Sequence, residues 1–332
     1  MKNRRLIGTL VLFALALFGA YLYPLVSPSS GGATTKTVKV GVLQFTSHEA
    51  LDQIYQGILA GLKEEGYSGK AVKVQFMNAQ GDQSRIQTMS QQLVADKNDV
   101  LIGIATPAAQ GLAAATKSIP IVMGAVTDPI GAKLMTNLDK PTANITGVSD
   151  QTPIAETLDL MGQITPNIKT IGVLSASSED NSPSQVKTFK KLAEKKGYKV
   201  VEYSVPSTNE VATTMSVMVG KVDAIWLPID NTIASAFSTV VSAAQTAHIP
   251  IYPSVDTMVQ EGGLASVSLD QYQLGVETGK MAAKVLKGQK VANLPVERYS
   301  KGTPVLNQKV ADQLGITFPS QVLKKATQVI KE

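Results

Sequence analysis

The residues best placed for chemistry in this chain stand just past runs of apolar residues. Val100-Leu101-Ile102-Gly103-Ile104 reads as a buried parallel strand, and Thr106-Pro107 follow at once. Proline suits the first turn of a helix and threonine suits its cap. A strand running straight into a helix turns free backbone N–H groups and a positive dipole end outward. Thr106, Ala108 and Ala109 therefore form a candidate carboxylate site, although the same residues also read as an ordinary capped helix. The other strand ends supply Gln44, Phe45, Ser47 and His48, then Thr127 and Asp128. In the second half they supply Ser178 and Asn181, Asp230 and Asn231, and Ser254 and Asp256.

This set is rich in hydroxyl, amide and carboxylate groups and contains no arginine. It suits a small zwitterion, whose carboxylate would take hydroxyls and N–H groups and whose ammonium would take an aspartate. Thr127 would add a second hydroxyl to the carboxylate site. For the ammonium Asp230 stands first, because it ends the apolar run Ala-Ile-Trp-Leu-Pro-Ile; Asp128 stands second and Asp256 third. Asp230 also reads as the N-cap of the next helix, and Asp128 in Thr-Asp-Pro as a turn residue. On the first reading, Asp230→Ala abolishes binding and leaves the fold intact.

The elements that must position these residues alternate. Residues 39–45 read as a strand, 48–67 as a helix, 73–79 as a strand and 100–105 as a third strand, with a helix from Pro107 and a further strand over 120–125. The order then restarts at residues 170–176, so that AIWLPID (224–230) parallels IGIATPA and IPIYPSVD (249–256) parallels IPIVMGAVTD (119–128). The pattern predicts an α/β fold of two similar doubly wound parallel-sheet lobes with a ligand cleft between them. A helix over 271–287 and an extended run over 294–300 remain after two complete lobes, which implies three interlobe crossovers, near residues 147–150, 268–271 and 296–301. The predicted N-terminal lobe is 37–148 plus 270–297, and the C-terminal lobe 149–269 plus 298–332.

At 332 residues the chain is long enough for two such lobes. Its net charge of +5 includes Lys2, Arg4 and Arg5, and the near-neutral remainder gives no reason to expect nucleic acid. The absence of cysteine removes disulfides, thiolate nucleophiles and thiolate-held metals. With only His48 and His248, a histidine-rich metal site is excluded, and no cofactor is expected. GVETGK (275–280) lacks the spacing of a phosphate loop and falls inside a helical pattern. No G-x-G-x-x-G follows the first strand and no G-x-S-x-G occurs, so the parts of a dinucleotide site or a serine hydrolase are missing.

The basic start, residues 1–5, would lie in the cytoplasm. It precedes an uncharged apolar stretch over 6–26, long enough to cross a bilayer as a signal anchor with its C-terminal side outside the cell. A shorter, cleaved signal is the alternative, and residues 27–36 then read as a tether. In either case the globular part is exported.

The strand ends GIATPAA and GAVTDP, then SSEDNS, PIDN and YPS, and finally SVSLDQYQLGVETGKMAAKVLKG, carry a family resemblance. Over about residues 38–330 the sequence resembles the extracytoplasmic solute-binding proteins of ABC importers with the periplasmic-binding type I fold. More narrowly it is similar to the tryptophan/tyrosine-type receptors of Gram-positive bacteria. The resemblance implies a monomeric two-lobe clamp without catalysis, closing on an aromatic amino acid and serving an ABC permease and its ATPase at the outer face of the cell membrane. Many relatives carry a lipid-bearing cysteine; this chain has none, in keeping with a transmembrane anchor. An aromatic ligand would need an apolar slot, for which Phe45, Pro107, Pro129, Trp226 and Pro253 are at hand, Trp226 reading rather as core. An exported α/β enzyme, or a receptor for another amino acid or a nucleoside, remains the alternative on the residues alone. Turnover would separate the enzyme from a receptor, which returns its ligand unchanged.

Overall fold

A computed structural model describes residues 37–141 and 143–331. The expected anchor and tether lie outside these residues; among those described, no helix is long and apolar enough to cross a membrane.

The strands in chain order are β1 (Val38–Gln44), β2 (Val72–Asn78), β3 (Val100–Ile104), β4 (Ile121–Gly124), β5 (Ile145–Asp150), β6 (Thr170–Ala176), β7 (Lys199–Val205), β8 (Ala224–Leu227), β9 (Ile251–Pro253), β10 (Ala265–Ser268), β11 (Glu297–Tyr299), β12 (Thr303–Asn307) and β13 (Gln328–Ile330). The first lobe is built on a six-stranded sheet in the order β11-β5-β4-β3-β1-β2, parallel throughout. The second is built on the parallel sheet β7-β6-β8-β9, beside a small sheet in the order β10-β12-β13. All five residues of β3 and all four of β4 are buried, as expected of strands covered on both faces by helices.

The residues after the second lobe return to the first. Glu297, Arg298 and Tyr299 pair in register with Val148, Ser149 and Asp150. The first sheet therefore runs two residues beyond the 148 and 297 limits read from the sequence, since Asp150 and Tyr299 are still paired within it.

The helix Gln271–Leu286 packs lengthwise on the helix Glu49–Glu64. Glycines make this approach possible: Gly57 and Gly61 face the Tyr272 and Val276 carbonyls, while Gly275 and Gly279 face those of Ile54 and Ile58. A Cβ on Gly275 would collide with the Ile54 carbonyl, which is backbone and cannot swing away. Gly275→Val is accordingly expected to destabilise the protein by about 3 kcal/mol, read as a lower urea midpoint. An unchanged midpoint would show that the two helices can separate freely.

Candidate functional site

In a parallel sheet, side chains just beyond the carboxyl ends of the strands face the crevice. Here the two sets of strand ends face each other across one pocket.

The first lobe contributes the ends of three adjacent strands. Thr106, one residue past the Ala105 that follows β3, opens the helix Thr106–Ala115. Thr127 follows β4, and Asp150 is the last residue of β5. Ala105 has φ +73° and Ala125 has φ +55°, left-handed values that an alanine adopts only under strain. Both strained residues stand at the cleft, where the chain turns from strand to site.

Thr106 is 1 % exposed and its hydroxyl has no hydrogen-bond partner among the described residues. Asp150, also 1 % exposed, has one carboxylate oxygen, Oδ1, equally unpartnered. Burial pushes the Asp150 carboxyl up to about 7, although hydrogen bonds from the Thr127 hydroxyl and from its own backbone N–H favour the ionised form. A buried carboxylate with a free oxygen calls for a cation.

The second lobe faces these groups with Asn181, Pro228, Ile229, Asp230 and Asn231. Asn181 is 2 % exposed; its amide N–H donates to the Ile229 carbonyl at 2.9 Å, leaving Oδ1 unpartnered. Among the described residues, two side-chain hydrogen bonds cross the cleft from one lobe to the other. Gln110, one turn into the Thr106 helix, donates to Asp180 at 2.8 Å, and His48 Nε2 lies 3.1 Å from Asn231 Oδ1. Apart from Gln271, the rest of the wall is apolar: Leu51 and Ile54 from the helix Glu49–Glu64, Ala234, and Val255 with Met258.

Six of the residues expected from the sequence meet at this cavity: His48, Thr106, Thr127, Asn181, Asp230 and Asn231. Asp230 reaches it with both oxygens engaged, because Oδ1 accepts from the Ile233 N–H at 3.0 Å and Oδ2 from the Ala176 N–H at 2.6 Å and the Ser182 hydroxyl at 2.7 Å. It is the cap of the short helix Asn231–Ser235.

The other nine stand away from the cavity. Phe45, Ala108 and Ala109 belong to the first lobe's hydrophobic core, and the Ala109 N–H already bonds the Ala105 carbonyl. Gln44 donates to the Thr46 carbonyl and to Asp52, and Ser47 donates to Asp52. Asp128 accepts from the Gly131 N–H in a turn, and Ser178 is exposed. Ser254 donates to the Leu227 carbonyl, and Ser268 bonds Asp256. Trp226 is wholly buried and stacks on Phe189 at 3.9 Å, so it is a core residue as its place inside a strand implied. Of the prolines and aromatics offered for a slot, none reaches the cavity, which is lined by aliphatic residues and Met258 instead.

The sequence reading passed over Asp150, Gln271 and Glu179. Asp150 obeys the strand-end rule that selected Asp230, but residues 147–150 were read only as a crossover. Gln271, at the start of its helix, was likewise read as a crossover residue. Glu179 lies between two residues that were selected, Ser178 and Asn181. It is buried, and its oxygens accept from the Asn231 and Thr232 N–H groups, the Asn231 amide and the Thr232 hydroxyl at 2.6–3.3 Å. Burial and then the neighbouring Asp230 charge push it up to about 7.

Two lobes, a closed crevice and polar groups awaiting a ligand describe a clamp. Residues 39–330 match the family model of the ABC transporter substrate binding proteins. The chain belongs to that family. Among solved structures, this substrate-binding protein is similar to the ABC domain in complex with L-Trp from Streptococcus pneumonia, at 59% identity and TM-score 0.88 over 89% of this chain and 100% of that one. It is also similar to the ligand-free, open structure of a substrate binding protein with adhesive properties from Clostridium difficile, at 35% identity and TM-score 0.69 over the same shares. A tyrosine-binding protein of Clostridioides difficile is 38% identical over 274 residues, 82% of this chain and 79% of that protein. The substrate-binding protein has the periplasmic-binding type I fold of these neighbours.

Proposed function

We propose that this substrate-binding protein captures an aromatic amino acid, tryptophan first, for an ABC importer. One observation carries the reading: the cavity's unpartnered buried polar atoms, Thr106 Oγ1, Asp150 Oδ1 and Asn181 Oδ1, come from the ends of β3 and β5 on either side of β4 and from the lobe opposite, and aliphatic residues line much of the remaining wall. That is the layout of a zwitterion with an apolar side chain. The Thr106 hydroxyl, at the positive end of its helix, takes the carboxylate. Asp150 and Asn181 take the ammonium from the two lobes together. This moves the ammonium from Asp230, whose oxygens are satisfied without a ligand. The L-Trp held by the 59% identical relative, and the tyrosine named for the 38% identical one, support the aromatic class.

In this reading the ligand enters an open cleft, and closure forms the His48–Asn231 and Gln110–Asp180 bonds over it. The closed form is what a permease and its ATPase would receive, at the outer face of the membrane, with residues 6–26 as the anchor. No step of this cycle requires a covalent change.

Thermal unfolding against each common amino acid, a nucleoside and a sugar tests the reading. A ligand present at 100 times its dissociation constant stabilises by about 2.7 kcal/mol, a shift of several degrees for lobes of this size. Tryptophan is expected to give the largest shift, with tyrosine behind it. A shift only with a sugar or nucleoside would remove the zwitterion assignment.

A further inference from the structure

The hydrogen bonds behind Asn231 determine which atom His48 offers the cleft. Asn231 donates its side-chain amide to Glu179 Oε2 at 2.6 Å; the Asn231 and Thr232 N–H groups also point at this carboxyl, so with Glu179 ionised it is the NH₂ end of the amide that meets it. Asn231 Oδ1 is therefore the atom facing His48, 3.1 Å from Nε2. An amide oxygen accepts and never donates, so His48 Nε2 must carry a proton. Burial lowers the His48 pKa, against the opposing pull of the Asn231 bond and the Asp52 charge, and so keeps the ring neutral. A neutral imidazole with its proton on Nε2 has a bare lone pair on Nδ1. No donor among the described residues reaches that atom, and His48 lines the cavity immediately before the helix that supplies Leu51 and Ile54 to the apolar wall.

We propose that His48 Nδ1 reads the ligand's ring by accepting a hydrogen bond from a ring N–H or O–H, so that the receptor selects an indole or a phenol over an unsubstituted benzene ring. Glu179 and Asn231 act as positioning residues: they fix the tautomer and hold the imidazole across the closed cleft. The inference rests on the aromatic amino-acid reading and assigns its selectivity to one atom. An apolar slot alone separates such rings weakly, because they differ little in area, whereas an acceptor that closure over the ligand leaves without a donor penalises the wrong ring.

The test is isothermal titration calorimetry of the protein with L-tryptophan, L-tyrosine, L-phenylalanine and β-(3-benzothienyl)-L-alanine, in which sulfur replaces the indole N–H at nearly constant shape. The wild type is expected to prefer tryptophan over the sulfur isostere by about tenfold or more. His48→Leu should bring that ratio close to one, and His48→Gln, which keeps an acceptor oxygen, should retain part of it. Losing the bond to Asn231 weakens closure on every ligand alike, so the ratio isolates the contact with the ring. A wild-type ratio near one, or a ratio unchanged in His48→Leu, overturns the role of His48. Failure of the wild type to bind any of the four ligands would instead overturn the aromatic amino-acid reading beneath it.

Discussion

Replacing Asp150 by asparagine is expected to weaken amino-acid binding about a hundredfold or more while leaving the protein folded. A hundredfold corresponds to about 2.7 kcal/mol, within the range for truncating one partner of a buried charge pair. Asparagine keeps the volume and the bond from the Thr127 hydroxyl but removes the charge that an ammonium needs. The same carboxylate sets the pH dependence. Its pKa in the ligand-free protein is pushed up to about 7, and a bound cation requires the ionised form. Affinity should then be full at pH 8 and fall as pH drops through 7, approaching tenfold per unit below it, because each ligand bound must displace a proton. Stability of the ligand-free protein runs the other way. A carboxyl whose folded-state pKa lies above its unfolded value binds protons better when folded, so its contribution is present at low pH and is lost as pH rises through 7. Asp150→Asn should flatten both profiles in part, with Glu179 supplying the stability slope that remains. Calorimetric titration and urea unfolding at pH 6, 7 and 8 check the two signs together. An affinity within a few-fold of wild type in the asparagine variant would take Asp150 out of the ammonium site.

The sequence shows the lobes more clearly than the site, and the reason is physical. β3 and β4 are apolar runs covered on both faces, and β1 and β6 are buried from Val40 and Ile171 onward, which makes them patterns that can be read residue by residue. The pairing of β11 with β5 joins Glu297 to Val148, and the small sheet brings Gln328 beside Val305. Such long-range partners of three-residue strands leave no local pattern. The strand-end rule found Thr106, Thr127 and Asn181 because it depends only on where an apolar run stops. It could not tell which polar groups the fold itself would satisfy. Ser254 bonds a carbonyl of the adjacent strand, and Asp256 lies against Ser268, so neither is left for a ligand. Asp150 has the same sequence signature as Asp230. What distinguishes the two is that no donor among the described residues reaches Asp150 Oδ1, a fact about packing that the sequence does not contain.

That difference makes Asp230→Ala the second large effect, and it falls on stability before binding. Removing the carboxylate strips acceptors from the buried Ala176 and Ile233 N–H groups and from the Ser182 hydroxyl. Three donors would be left facing the end of β6 and the start of two helices with nothing to meet them. Loss of the helix cap at Ile233 costs about 1 kcal/mol, and each of the other two stranded buried donors adds about 1–3 kcal/mol. Part of this is offset at Glu179, whose carboxyl is pushed up by burial and then by the Asp230 charge and would be relieved of the latter. The net expectation is a loss of about 2–4 kcal/mol, read from urea unfolding at pH 8, where the offset is greatest. Any fall in affinity should follow from the loosened turn that carries Asn231, and adding ligand should recover part of the lost stability. Asp150→Asn should show the converse, with folding retained and ligand rescue absent. If instead Asp230→Ala kept full stability and lost all binding, the carboxylate would be contacting the ligand directly, and the ammonium would belong to Asp230 after all.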